Sequence, residues 1–67
     1  MDRLVCQIDS PKKALTLALN AERYSVDYFD DMARRVTTEE GRRICQELAE
    51  EERGHVAHIE ALLAGVD

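Results

Sequence analysis

A chain of 67 residues forms one domain at most, and a core built from so few residues rarely supplies more than about 3–5 kcal/mol of stability. The two cysteines, Cys6 and Cys45, form no CxxC pair, which excludes a disulfide-dense framework and a zinc-ribbon site, so metal binding or oligomerisation is expected to supply further stability. The net charge of −5 gives no general attraction to nucleic acid or anionic lipid, and without a signal peptide or an apolar membrane span the expected location is cytoplasmic.

The first predicted element is a long helix that follows an N-terminal tail, residues 1–9, in which no pattern is recognisable. Ser10 can accept hydrogen bonds from the free N–H groups of a first helical turn, and Pro11 has the fixed φ angle that this turn requires. No glycine or proline interrupts the sequence up to about Val36. The sequence therefore predicts helix A over residues 11–36.

A second long helix follows after a short turn. Thr37 and Glu40 have the spacing of a capping box in which Thr37 is the cap, and this predicts helix B over residues 38–64. Gly65 is expected to end the helix, and residues 66–67 form the C-terminal end. Because the connection has only a few residues, the two helices must run antiparallel.

Residues 10–65 are therefore expected to form an all-α, two-helix antiparallel hairpin, and each helix carries an apolar stripe when every residue advances about 100°. On helix A the stripe comprises Leu15, Ala18, Leu19, Val26, Phe29, Ala33 and Val36. On helix B it comprises Gly41, Ile44, Cys45, Leu48, Val56, Ile59 and Leu63, flanked by Leu62. The opposite face of helix B is expected to carry Arg43, Glu50, Arg53 and Glu60. Two helices cannot enclose two such stripes, so a homodimer that forms a four-helix bundle is the expected assembly.

Three polar residues interrupt these stripes at or near their centres, namely Glu22 on helix A and Glu52 with His55 on helix B. Burial of an unpaired carboxylate is costly, so carboxylates within a core indicate a bound cation. Glu22 and Glu52 are equally far from the predicted turn, which brings them to the same level of an antiparallel hairpin. His55 follows Glu52 by one helical turn, so the two side chains can present an oxygen and a nitrogen to one point.

A two-fold axis would double this set to four glutamates and two histidines, the ligand set of di-iron and di-manganese carboxylate bundles. Mixed carboxylate and imidazole ligands favour Fe or Mn. The sequence therefore predicts two Fe ions per dimer, with Mn as the alternative metal, held by Glu22, Glu52 and His55 of each chain. The competing interpretation is a metal-free buried polar network that sets the helix register.

Three segments within residues 14–63 form a wider pattern: Ala14-Leu15-Thr16-Leu17-Ala18-Leu19-Asn20-Ala21-Glu22, then Tyr28-Phe29 and Ala33, then Leu48-Ala49-Glu50-Glu51-Glu52 with His55. Together they resemble the first half of a rubrerythrin-type ferritin-like domain, and a single helix pair per chain is similar to the encapsulated ferritins. The resemblance implies that Glu22, Glu52 and His55 are metal ligands. It also implies a homodimer or larger homo-oligomer, and it raises an encapsulating shell protein as a further partner. Phe29 occupies the position of a tyrosine near the metal of encapsulated ferritins, and their C-terminal shell-targeting tail is not found.

The function expected from these features is that of an iron-binding, iron-storing ferroxidase, which oxidises Fe(II) to Fe(III) at a di-iron carboxylate site formed across the homodimer interface. A rubrerythrin-like peroxide reductase is one alternative, disfavoured because 67 residues leave no room for an electron-donor module. A non-enzymatic helical dimerisation module is the other. If a shell protein is the partner, the location becomes the interior of a protein compartment.

Further residues allow more than one interpretation. A second stripe on helix A either packs within the dimer or forms a second subunit interface, and it comprises Leu17, Ala21, Tyr24, Tyr28 and Met32. His58 lies on a side of helix B with Glu47 and Glu51, either as part of a solvated acidic face or as part of an iron entry path or a secondary metal site. Cys45 is expected to be a small buried apolar residue.

Overall fold

The computed structural model describes residues 10–66, which form two α-helices, α1 at Pro11–Arg35 and α2 at Glu39–Ala64. The helices pack against each other along their length and are joined by residues 36–38, and the described residues contain no strand. The predicted all-α hairpin is therefore confirmed. The predicted N-terminal tail, residues 1–9 with Cys6, lies outside the described residues, as does Asp67.

The start of α1 has the predicted cap. Ser10 has extended backbone angles, and its Oγ accepts a hydrogen bond of 3.1 Å from the backbone N–H of Lys13, with Pro11 at the first helical position. The helix ends at Arg35, one residue earlier than expected, because Val36 is already extended. This extended residue turns the chain out of α1 and toward the start of α2.

The start of α2 differs from the prediction by one residue, since Thr38 and not Thr37 is the N-cap. The Oγ1 atom of Thr38 accepts a hydrogen bond of 3.1 Å from the backbone N–H of Gly41, and the helix begins at Glu39. A Cβ atom at position 41 would lie 2.8 Å from this oxygen, so Gly41 leaves the space that the cap needs. The helix ends at Ala64, and Gly65 follows it, as predicted.

The contact between the helices is built mainly from small side chains. The buried residues among those described are Leu19, Ala33, Cys45 and Ala49, and none of them is polar. Ala49, which is fully buried, was not part of the predicted stripe, whereas Ala18, Ile44 and Leu62 were predicted for or beside the stripes and are exposed. Small residues let two helix backbones approach closely, and they leave the larger apolar residues at the edges of this contact.

The hairpin is a single layer of helices. Its principal dimensions are 44 × 28 × 12 Å, and the smallest of them is about the diameter of one α-helix. Stable domains usually bury their apolar faces between two or more layers. The two helices therefore cover their apolar faces only in part, and large apolar residues stay exposed in the single chain. Neither α1 nor α2 is long and apolar enough to cross a membrane.

Candidate metal centre

Glu22, Glu52 and His55 come together at mid-height of the hairpin. Glu22 lies near the middle of α1, while Glu52 and His55 lie one turn apart near the middle of α2. His55 Nδ1 is 2.7 Å from Glu22 Oε2 and 3.0 Å from Glu52 Oε1. One ligand atom from each residue lies within 4.8 Å of the others, so the three side chains can share one cation. We call these residues the triad.

The triad is only partly covered by the chain itself. The side chains of Glu52 and Glu22 are 17% and 24% exposed, whereas that of His55 is 59% exposed. No buried side-chain nitrogen or oxygen of the described residues lacks a hydrogen-bond partner, and His55 Nδ1 contacts both carboxylates of the triad without a cation. The two carboxylates are thus more covered by the hairpin than the imidazole, which is the most exposed of the three side chains.

The two carboxylates of the triad change the pKa of the His55 imidazole. The hydrogen bond to Glu22 is the largest effect and raises the pKa of His55 above its ordinary 6.5; partial desolvation opposes this, and the negative charges of Glu22 and Glu52 add to it. When it is protonated, the imidazole occupies the place between two carboxylates that a metal ion would take. A metal ion that binds Nδ1 must displace this proton, so metal binding and protonation compete.

The open side of the hairpin is apolar around the triad. Ile44 and Leu62 are 50% and 45% exposed, and they lie on the same side of α2 as His55 when each residue advances about 100°. The half-buried residues of this side are Phe29, Leu48 and Ile59. The partly exposed triad thus shares this side with apolar side chains that the chain does not cover, and Glu47, Glu50 and Glu51 line the groove beside Ile44 and Leu48.

The other side of the hairpin is polar and closed by two ion pairs between the helices. Arg23 Nη2 donates to Glu60 Oε2 at 2.8 Å, and Arg53 Nη2 donates to Asp30 Oδ2 at 2.5 Å. Arg53 and Glu60 were predicted on the face of α2 opposite the apolar stripe, but they lie at its flank and reach α1. A cavity of about 250 Å³ lies between the pairs and is lined by Arg23, Val26, Asp27, Arg53 and Val56.

Sequence reasoning missed these ion pairs although the chain contains a signal for them. Residues 22–30 and 52–60 both begin with Glu-Arg, have valine at the fifth position and end with an acid. Their first residues lie at the same level of the hairpin, and from there one segment runs toward the loop and the other away from it, so an approximate two-fold axis across the antiparallel helices relates them. The same residue types then meet twice across the helices, which is what the two arginine pairs do.

The remaining candidates of the sequence lie away from the triad. His58 is exposed and is not brought close to Glu22, and within residues 10–66 no second group of three metal-binding side chains converges. Tyr24 and Tyr28 of the second stripe are 71% and 50% exposed, so in the single chain this stripe is not packed. Cys45 is buried, as predicted.

Comparisons with protein-family models, curated proteins and solved structures find no match to this chain. The function is therefore inferred from the geometry and chemistry of the triad and of the surface around it.

Proposed function

We propose that the chain forms a homodimer whose two triads face each other, bind two iron ions and oxidise Fe(II) to Fe(III). The observation that carries this proposal is the convergence of Glu22, Glu52 and His55 within 4.8 Å on the apolar side of the hairpin. The chain would thereby be a half-length member of the rubrerythrin-type, ferritin-like class.

The donor atoms of the triad fit iron. Two carboxylates and one imidazole form a mixed oxygen and nitrogen set, which suits Fe or Mn and occurs twice in carboxylate-bridged two-metal bundles. The triad has no cysteine, so the softer sites of iron–sulfur clusters and structural zinc do not fit it. Two carboxylates also match the charge of one divalent cation per chain.

A second copy of the chain supplies what the first lacks. Three ligands per chain are half of the set that a two-metal site requires, and they lie on a side where Ile44 and Leu62 are exposed. A two-fold axis through this side would bury the apolar residues of both copies against each other and bring the two triads together. The dimer interface and the metal site would thus be completed by the same event.

Each residue of the triad then has a distinct task. Glu22 and Glu52 supply negative charge from opposite helices, so a cation that both carboxylates held would link α1 to α2. His55 gives up its Nδ1 proton and becomes a neutral nitrogen ligand. Iron bound there supplies one-electron chemistry, with dioxygen or peroxide as the electron acceptor. The apolar residues around the triad exclude water from the interface.

A non-enzymatic dimerisation module is the second candidate, because His55 pairs with both carboxylates of the triad without a metal. The two candidates differ in metal content. Protein purified without chelator and analysed for elements should contain close to one Fe or Mn per chain if the proposal is correct. A module that only dimerises should contain neither metal in stoichiometric amount.

The activity is tested by adding Fe(II) to apo-protein under air and following Fe(III) by absorbance. Oxidation should be faster than in buffer until about one Fe(II) per chain has been added. Replacing dioxygen with peroxide under argon separates a ferroxidase from a peroxide reductase. Sedimentation with and without Fe(II) tests the assembly, since metal should favour the dimer. A monomer that binds iron stoichiometrically would refute the proposed site.

A further inference from the structure

Each carboxylate of the triad is followed in the sequence by an arginine that reaches the opposite helix. Glu22 precedes Arg23, whose guanidinium binds Glu60 of α2. Glu52, the other carboxylate of the triad, precedes Arg53, whose guanidinium binds Asp30 of α1. Neighbouring residues of a helix point about 100° apart. The glutamate therefore faces the open side while its arginine faces the closed side, and both belong to one turn of helix.

The two arginine pairs lie on either side of the triad along the hairpin. Asp30, the partner of Arg53, is closer to the loop than Glu22 is, whereas Glu60, the partner of Arg23, is farther from the loop than the triad residues of α2. One pair therefore restrains the helices below the triad and the other above it. Rotation of either helix about its own axis would break both restraints.

Such rotation would displace the ligands. A carboxylate about 6 Å from the helix axis moves by ~1 Å when its helix rotates by about 10°. Metal and catalytic constellations must be held to within about 0.5 Å of the productive geometry. The small buried residues of the hairpin, Ala33, Cys45 and Ala49, offer little shape to resist rotation. Side chains that cross between the helices at the level of the triad are therefore suited to set its geometry.

We propose that Arg23 and Arg53 are positioning residues of the metal centre, which hold Glu22 and Glu52 in a common orientation by bridging to the opposite helix. This inference rests on the proposed function, which supplies the metal centre that the triad would form. The arginine side chains are about half exposed, at 54% and 48%, so the bridges add little to the stability of the hairpin. Their main effect is on ligand geometry.

The test compares Arg53→Gln with Arg35→Gln. Arg35 is a matched control, because it also forms an ion pair, at 3.0 Å to Asp31, but that pair lies within α1 and does not cross between the helices. Co(II) alone is the probe, since its visible absorption reports the coordination geometry as well as the affinity. Arg53→Gln should bind Co(II) about tenfold more weakly, with an altered spectrum, while Arg35→Gln should match wild type.

A charge swap provides the rescue. Exchanging the two partners, as Asp30→Arg with Arg53→Asp, restores an ion pair across the helices and should recover most of the Co(II) affinity and the wild-type spectrum. If the arginine acted only on general stability, thermal melts would change and the spectrum of the bound fraction would not. An unchanged affinity and spectrum in Arg53→Gln would overturn the proposal.

A measurement on the metal-free protein separates this proposal from the metal site itself. NMR contacts between the side chains of Glu22 and His55 should be present in wild type, in Arg35→Gln and in the charge swap, and should weaken in Arg53→Gln. If wild type binds no Co(II) but these contacts behave as expected, the metal function fails and the positioning role stands. If wild type binds Co(II) and the contacts do not change in Arg53→Gln, the positioning role fails alone.

Discussion

Replacing Glu52 with alanine separates a metal site from a structural network. The side chain of Glu52 is 17% exposed, and its ion pair is the 3.0 Å contact of Oε1 with His55 Nδ1. His55 keeps its shorter contact of 2.7 Å with Glu22 after the change. The substitution therefore removes one of two carboxylates from the imidazole and leaves no charge without a partner.

The effect on the apo-protein should be small. A partly exposed ion pair is worth about 0–1 kcal/mol, and alanine has a slightly better helix propensity than glutamate, which offsets part of the loss. We therefore expect the free energy of unfolding of apo Glu52→Ala to lie within about 1 kcal/mol of wild type. The effect on iron should be large, because in a dimer the change removes two ligands from one site. Loss of an outer partner of a ligand already costs about 10–100-fold in affinity, so loss of the ligands themselves should abolish stoichiometric binding.

The assay combines thermal melts of chelator-treated protein with iron content after anaerobic loading. Glu47→Ala is the matched control, since Glu47 is exposed and lies on the same helix outside the triad, whereas Glu50 pairs with Arg53. It should keep full iron binding. The reasoning is refuted if apo Glu52→Ala loses about 3–5 kcal/mol, as expected for a broken buried network, and still binds iron as wild type does.

Three further predictions concern protonation, helix backbone and assembly. Because the pKa of His55 is raised above 6.5, its proton stabilises the apo-protein below that pH, and this contribution is lost as the pH rises through the raised pKa. Melts of wild type and His55→Gln across this range should converge at high pH, while iron affinity should change in the opposite sense and fall as the pH is lowered. A Cβ at Gly54 meets no atom within 4 Å, so Gly54→Ala should raise the free energy of unfolding by about 0.5–1 kcal/mol, whereas Gly41→Ala should lower it by crowding the cap. Ile44→Glu places a charge on the open side and should give a monomer with weak iron binding in sedimentation, while Leu17→Glu on the second stripe should keep the dimer.

The convergence of the triad could be predicted because helix geometry alone determines it. The sequence itself shows that Glu22 interrupts one apolar stripe and that Glu52 and His55 interrupt the other. A short loop then fixes which residues of the two helices lie at the same level. Nothing beyond the period of the helix and the length of the turn was needed.

Other features depended on details that a helical period does not contain. Thr37 and Thr38 can both cap a helix, and the choice of Thr38 follows from the extended path of the loop, which brings its hydroxyl to Gly41. Arg53 lies about 100° from the ligand stripe, and whether that flank faces α1 or solvent depends on the rotation of both helices in the contact. Side-chain length then decides that the arginine reaches Asp30.

The exposure of Ile44 and Ala18 shows a further limit of reading a stripe as a core. An apolar stripe that is wider than one helix contact can pack against two neighbouring helices. The helical period does not tell which residues of the stripe pack against which neighbour. In this hairpin Cys45 and Ala49 face α1, while Ile44 faces away from it. The division agrees with a hairpin that uses small residues within the chain and offers larger ones to a second copy.

The burial of Cys45 provides a chemical clock for the separation of the two helices. Its thiol belongs to a residue that is only 6% exposed between α1 and α2, so an alkylating reagent can reach it only when the helices part. In a Cys6→Ser chain, the rate at which Cys45 is alkylated under native conditions would report how often the two helices separate. If iron links α1 to α2 through the triad, it should lower the rate of Cys45 alkylation. An alkylation rate that does not change when iron is added would mean that the metal does not join the helices.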